Sequence, residues 1–254
     1  MSDGEPVRVD CHVKVLNDRV VEYARQAGID VLVYAPHFAR LPEIREQAAA
    51  YSTDAVQVIP AREVFTGSWR DRKHVLAIGL EEAVPDFITL EAAMEEFERQ
   101  EAAVLAPHPE FLNVSLTGDD IRRYSEIINA AEIFNPKHLP MHNRQAKRLV
   151  SELDLAPFTS SYAHLPSSVG VSHVAFERPI EAEADLVEAF RENAPRHVVY
   201  DNGIRRVRTT AAELGHLVYE NTWEKVDRLL LSGTEPTHPK HIFYDGRFDD
   251  DSVY

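Results

Sequence analysis

Short apolar runs alternate with amphipathic segments from Val7 to Tyr200, and that rhythm leaves few folds open. Val7 to Val15 precedes an amphipathic stretch, Asn17 to Gln26, with Val20, Val21 and Ala24 at helical spacing and Gly28 as its stop signal. Asp30 to Ala35, Ala55 to Pro60, Lys73 to Gly79, Ala103 to Ala106, Ala131 to Phe134, Phe158 to Ala163, Val171 to Phe176 and His197 to Tyr200 read as strands. Between them, Leu41 to Tyr51, Thr89 to Gln100, Thr117 to Ala130, His142 to Leu153 and Ile180 to Glu192 read as helices. About seven β-then-α units in series predict a parallel sheet wound by helices, closed or open. Phosphate loops of the GxGxxG or GxxxxGK kind are absent, which disfavours the open nucleotide-binding sheet. The expected architecture is α/β, a closed βα barrel over residues 1–207. Residues 208–254 are expected to add a C-terminal extension.

In that extension Thr209 to Leu231 reads as one long helix, with Leu214, Leu217, Val218, Val226, Leu229 and Leu230 as its apolar stripe. It offers a contact between copies in a homo-oligomer or a cover for the barrel base. The polar, acidic tail from Gly233 to Tyr254 is expected to be partly disordered.

The first strand carries an unusual pattern. Successive side chains of a strand point to opposite faces, so Asp10, His12 and Lys14 are expected on one face and Cys11, Val13 and Val15 on the other. Three polar groups on one face of an apolar strand need partners, and the face is read as one wall of a site. Other polar residues fall at strand ends or in adjoining turns: His37, Glu63, His108 and His164. His74 fits least well, because it opens its strand. A parallel barrel gathers strand ends at one mouth, where sites of this architecture lie. A single histidine at a strand end is more often a hydrogen-bonded structural group than a ligand. Five imidazoles (His12, His37, His74, His108 and His164) in that register, with one carboxylate, point instead to a divalent transition metal such as Zn, Mn or Fe, one to two ions. The remaining histidines show no such register.

The order of these motifs resembles the PHP family (polymerase and histidinol phosphatase) of metal-dependent phosphoesterases. Asp10-Cys11-His12-Val13-Lys14 stands where that family has Asp-Leu-His-x-His. Ala35-Pro36-His37, Pro60-Ala61-Arg62-Glu63, His74-Val75-Leu76, Pro107-His108-Pro109, Glu132-Ile133-Phe134-Asn135 and Ser160-Ser161-Tyr162-Ala163-His164 follow in the family's order. The match runs from about Val7 to Val199, and the resemblance implies a distorted (β/α)7 barrel, in agreement with the number of units. The resemblance implies a first metal at His12, Glu63 and the Lys14 and Tyr162 positions. It implies a second at Glu63, His74 and His108, and a third at His37 and His164. Lys14 and Tyr162 replace two expected ligands, and an ammonium has no lone pair to give. The resemblance therefore implies hydrolysis of a small phosphorylated metabolite or nucleotide. Lys14, Tyr162 and Arg62 are the catalytic candidates, with Arg62, Arg70, Arg72 and Lys73 receiving the anion and Trp69 offering a stacking face. The alternative is a catalytically degenerate barrel serving as a binding or scaffold subunit. A metallo-amidohydrolase fits less well, since the His-x-His of the first strand is broken.

Composition bounds the partners. The net charge of -15 argues against strong direct nucleic-acid binding and against anionic membranes. It also suits a high-salt cytoplasm. No run of about 18 apolar residues is present, so no membrane span is expected. A single cysteine and a polar, acidic start, Met1 to Pro6, predict a cytoplasmic chain without a secretory leader.

Overall fold

The computed structural model describes residues 4–68, 71–111, 114–200, 213 and 236–253. The expected long helix Thr209 to Leu231, apart from Glu213, and the expected stacking residue Trp69, with Arg70, lie outside the described residues.

Among the described residues, nine strands form one nearly closed, barrel-shaped sheet. In chain order they are β1 (Val7–Val13), β2 (Val31–Tyr34), β3 (Gln57–Thr66), β4 (Lys73–Ile78), β5 (Ala103–Ala106), β6 (Ile128–Phe134), β7 (Pro157–Thr159), β8 (Ser172–Phe176) and β9 (Arg196–Tyr200), and their order in the sheet is β7-β6-β5-β4-β3-β2-β1-β8-β9. Helices α1 (Asp18–Ala27), α2 (Leu41–Tyr51), α3 (Leu90–Arg99), α4 (Gly118–Arg123), α5 (Pro140–Glu152) and α6 (Glu183–Arg191) connect them. The barrel interior is apolar: Val9, Val33, Ile59, Leu76, Leu105, Phe158 and Phe176 share one buried cluster. Each such side chain contributes about 1.5–3 kcal/mol through burial.

The predicted helix signals act as physical chemistry requires. The Asn17 side chain accepts from Arg19 N at 3.0 Å and Val20 N at 3.2 Å, which caps α1. Gly28 ends it with φ 68°, a left-handed turn that a Cβ would strain. Thr89 caps α3 and Thr117 caps α4. The α4 helix stops at Arg123 rather than Ala130, because β6 already begins at Ile128.

Two departures from the expected parallel sheet matter for the site. First, β3 does not end at Pro60. It runs on to Thr66, turns at Gly67 and pairs antiparallel with β4, Glu63 opposite Leu76 and Phe65 opposite His74. The sheet is therefore mixed, with β4 also antiparallel to β5 and β8 antiparallel to both β1 and β9. Second, β1 carries an irregularity. Asp10 pairs with Leu32 but Val13 with Tyr34, three steps against two. The alternation slips there: Cys11 packs in the inner cluster and Val13 in the outer one beneath α1.

Past the irregularity, β1 closes the barrel against the segment after β7. Val13 bridges Ala163 in parallel, and Lys14 N donates to Ala163 O at 2.8 Å. Residues 236–253 correct the expectation of a partly disordered tail. Tyr244 and Phe248 are buried in a further cluster with Met94 and Phe97, separate from the one beneath α1, and Ser252 forms an antiparallel bridge with Ile88. Among the described residues no helix is long and apolar enough to cross a membrane.

Candidate metal centre

One mouth of the barrel collects the polar side chains, and Glu63 stands at its middle, fully buried. Its two oxygens face different sets of neighbours. Oε1 lies 3.3 Å from His108 Nε2, 3.5 Å from His74 Nδ1 and 3.7 Å from His12 Nε2. Oε2 lies 2.5 Å from Lys14 Nζ and 3.0 Å from His37 Nε2. Glu63 shares the inward face of β3 with Ile59 and Ala61, which turns Arg62 outward. His74 reaches the same mouth because β4 runs antiparallel, so the start of β4 lies beside the end of β3. Its ring stacks on Phe65 at 4.0 Å. His108 follows β5 with φ 35°, a left-handed conformation rare outside glycine.

The protonation pattern leaves an electrostatic gap on the Oε1 side. Ser115 Oγ donates to Phe111 O at 2.8 Å, so towards His108 Nδ1, also at 2.8 Å, it can only accept. His108 Nδ1 then donates to Ser115, which leaves Nε2 to face Glu63 Oε1 at 3.3 Å, a pair of atoms close enough to share a cation. Both ring nitrogens of His12 and both of His74 are buried without a hydrogen-bond partner. Burial, and secondarily the Lys14 charge, holds His12 well below its ordinary pKa. Burial also lowers His74. These rings are therefore neutral rather than cationic, with lone pairs free to ligate. Glu63, His74 and His108 place donor atoms within 4.8 Å of one another, and they are the group of three so arranged among the described residues. A buried carboxylate oxygen with two or three neutral imidazoles suits Zn, Mn or Fe.

Lys14 occupies the Oε2 side. Its ammonium donates to Glu63 Oε2 at 2.5 Å and to Ala35 O at 2.7 Å. Burial lowers its pKa to about 8, against the opposing pull of Glu63. Burial alone would raise Glu63, but the Lys14 ammonium and the histidines around it together hold the carboxyl well below its ordinary range.

The far side of the mouth is built from β7 and the segments around it. The Tyr162 ring, in a backbone with φ 48°, lies 4.8 Å from His12, 5.4 Å from His108 and 5.1 Å from His164. Lys14 and Lys137 both approach that ring, at 5.5 and 4.4 Å. Lys137 Nζ sits 2.5 Å from His164 Nδ1 and 3.0 Å from Glu213 Oε2. The His37 and His164 rings meet edge to face at 5.7 Å.

The residues read from the sequence thus converge in large part: His12, Lys14, His37, Glu63, His74, His108, Tyr162 and His164 all line this mouth. Three expectations are corrected. Asp10 is not part of the wall. The slip in β1 turns it to the closure, where it accepts from Ser161 N at 2.9 Å and Gly170 N at 3.0 Å, and burial raises its pKa to about 6. Arg62 does not face the site: its guanidinium is buried against Asp86 at 3.0 Å and donates to Ala39 O at 2.5 Å. Lys73 pairs with Asp120 at 2.8 Å instead of receiving an anion.

Sequence reasoning missed Lys137, Glu213 and Ser115, and it read Glu132 as part of a motif without giving it a role. Glu132 accepts from His108 N at 2.9 Å, Asn135 Nδ2 at 3.0 Å and Ser160 Oγ at 2.8 Å, and so braces the turn carrying His108. Lys137 follows β6 at the same mouth, and the strand-end rule would have found it had lysines been included.

Fold and donor cluster together define a barrel with a candidate metal centre at one mouth. Residues 140–195 match the family model described as PHP-associated, and the resemblance to the PHP family, carried by motifs spread along the barrel, stands with it. No curated protein matches the chain. Among solved structures, the chain is similar to PsfC from Pseudomonas syringae, at 18% identity over 84% of this chain and 99% of that one, with TM-score 0.63. It is similar to the lesion-specific endonuclease Q from Pyrococcus furiosus, at 15% identity over 76% of this chain and 57% of that one, with TM-score 0.55. An amidohydrolase from Chromobacterium violaceum with bound sulfate and no metal matches at 12% identity over 76% and 97%, with TM-score 0.54. At these identities the likeness is one of fold. The chain spans 57% of the length of endonuclease Q, another structure of which holds a 27-mer duplex with an abasic lesion at its active site.

Proposed function

We propose that this chain is a metal-dependent phosphoesterase of PHP type that works with one divalent ion and Lys14 on a small phosphorylated metabolite or nucleotide. The observation that carries this is the split of Glu63, one oxygen facing imidazole nitrogens and the other bound to an ammonium. Glu63, His74 and His108, with His12 beside them, would hold the ion. When bound, it supplies Lewis acidity, lowering the pKa of a water and drawing charge from a phosphoryl oxygen. Glu63 and Ala35 take two of the three donors of Lys14, and the third is placed to hold a phosphoryl oxygen as negative charge builds on it. Tyr162 roofs the mouth, and its phenol would orient the ester. Glu132, Asn135 and Ser115 hold His108 in position.

Charge supports an anionic substrate at this one place. Lys14 and Lys137 balance Glu63 and Glu213 within the mouth, so a divalent ion leaves it positive in a chain of net charge -15. A long duplex of the kind bound by endonuclease Q would bring many phosphates against the acidic surface, which favours a small ester.

The test is a hydrolysis screen with Mn, Zn or Fe at high and low salt. It covers p-nitrophenyl phosphate, phosphorylated metabolites, nucleotides and an abasic-site duplex. Turnover of a small ester that is abolished by chelator and by His108→Ala is the expected result. Turnover of the duplex alone would move the substrate class to nucleic acid. Metal-loaded protein inert towards every substrate would favour the scaffold alternative.

A further inference from the structure

Lys137 belongs to no expected ligand set, yet it sits among groups that usually hold metals. We propose, resting on the single-ion reading above, that the Lys137 ammonium stands in for a cation between His164 and Glu213. The mouth then takes one exchangeable ion, and removing Lys137 turns it into a two-ion site.

The chemistry of the three partners carries this. An ammonium only donates, so the Nζ contact to His164 Nδ1 at 2.5 Å makes that nitrogen an acceptor. Tyr162 O lies 3.1 Å from the same nitrogen, but an ammonium at the shorter distance leaves Nδ1 no donor role towards it. His164 therefore presents a lone pair from Nδ1, the form in which imidazole ligates metals. Burial holds its pKa far below the ordinary value, so the ring stays neutral. Glu213 Oε2 lies 3.7 Å from that Nδ1, close to the separation of about 3.3 Å between two donors each about 2 Å from a shared ion. The carboxylate is fixed there: Glu213 Oε1 accepts from His164 N at 3.0 Å and Leu165 N at 2.9 Å. His37 brings a further imidazole edge to the His164 ring. The Tyr162 face, 4.4 Å from Nζ, supplies the remaining cation-stabilising surface.

Lys14 follows the same pattern on the opposite side, with a carboxylate oxygen, a backbone carbonyl and the same aromatic ring. Both lysines are nearly inaccessible, with side chains 3% and 5% exposed. Their charges are tethered to the chain and cannot be chelated. Glu63, His74 and His108 are left as the group that takes an ion from solution.

The test is metal stoichiometry in the full chain. Chelator-stripped protein is titrated with Mn²⁺ by calorimetry and metal analysis, and bound Mn²⁺ is examined by electron paramagnetic resonance. Wild type should bind one ion with an uncoupled signal. Lys137→Ala should bind two with a spin-coupled signal, and Lys137→Arg, which keeps a cation there, should bind one. Adding Glu213→Gln to Lys137→Ala should return the count to one. Lys137→Gln repeats the test where Lys137→Ala fails to fold. Two ions in wild type would overturn the inference and the one-ion form of the proposed function with it, whereas one ion in both neutral Lys137 variants would overturn the inference alone and leave that function standing. No ion in wild type would remove the proposed function, and this inference with it.

Discussion

The two sides of the mouth use similar groups and differ in how their charges are settled. Around Glu63 Oε1, three imidazole nitrogens face a carboxylate at 3.3 to 3.7 Å, and His12 and His74 lack any hydrogen-bond partner for their ring nitrogens. Around Glu213 Oε2, an imidazole nitrogen and a carboxylate lie at a comparable 3.7 Å with an ammonium between them. One side is satisfied from within the chain, and the other keeps buried ring nitrogens without a hydrogen-bond partner. A site can therefore lose metal-binding residue types and keep its positive charge, because a buried lysine supplies charge without ligation.

The largest effect expected is at the residue both sides share. Glu63→Ala removes the ligand oxygen facing the imidazoles and also strips Lys14 of its counter-ion. Metal binding should be lost and ester hydrolysis should fall by about 10³-fold or more, since the ion supplies several kcal/mol of charge stabilisation. Leaving Lys14 buried without its carboxylate should also cost about 3–5 kcal/mol of stability. Metal analysis with chemical denaturation checks both. Retained metal at full occupancy would collapse the distinction between the two sides.

Arg62 is the neighbour of Glu63 on the same strand but faces the other way, and this makes it the control. Arg62→Met leaves Asp86 buried without its guanidinium and should destabilise the fold by about 3–5 kcal/mol. It should leave metal stoichiometry unchanged, because no Arg62 atom faces the donor cluster. A loss of metal in a variant that still folds would mean that the two faces of β3 are coupled.

A smaller effect belongs to Ser115, which orients His108 on the metal side. Ser115→Ala should weaken metal affinity about 10- to 100-fold while leaving one ion per chain at saturation. Calorimetry reads the affinity directly. An unchanged affinity would mean that Glu132, through the His108 backbone, sets the ring without help from the hydroxyl.

Much of this arrangement was legible before the coordinates, and the exceptions have physical causes. Glu63, His108 and His164 were found because barrel strands deliver their carboxyl ends to one mouth. His74 fitted poorly because the sequence shows no sign that the strand through Pro60 continues to Thr66 and turns back. Asp10 was placed in the site by an alternation that a single irregularity in β1 interrupts, and irregularities of that kind leave no mark in residue type. Lys137 lay in the right register but is not a ligand type, so a search for metal donors passes over it. Glu213 comes from a part of the chain far from its partners, and only the folded structure joins it to His164.

The smallest effect expected separates the fold's acid sensitivity from that of the ion. His138 stacks on Phe111 at 3.9 Å, with its ring 6.3 Å from His108, and burial lowers its pKa from 6.5 to about 3. Below pH 6.5 the unfolded chain takes up a proton that the folded chain refuses until about pH 3. Stability contributed by this group is thus complete above pH 6.5 and falls with pH through that window, by up to about 1.4 kcal/mol per pH unit. His138→Phe keeps an aromatic ring against Phe111 without the titrating group. In chelator-stripped protein, its denaturation free energy should decline less steeply with acid than that of wild type, by about one proton. The two slopes converge if His138 takes its proton in the folded state as readily as in the unfolded one. Acid sensitivity at this edge of the mouth would then rest with His12 and His74, whose rings the ion would protect and acid would free.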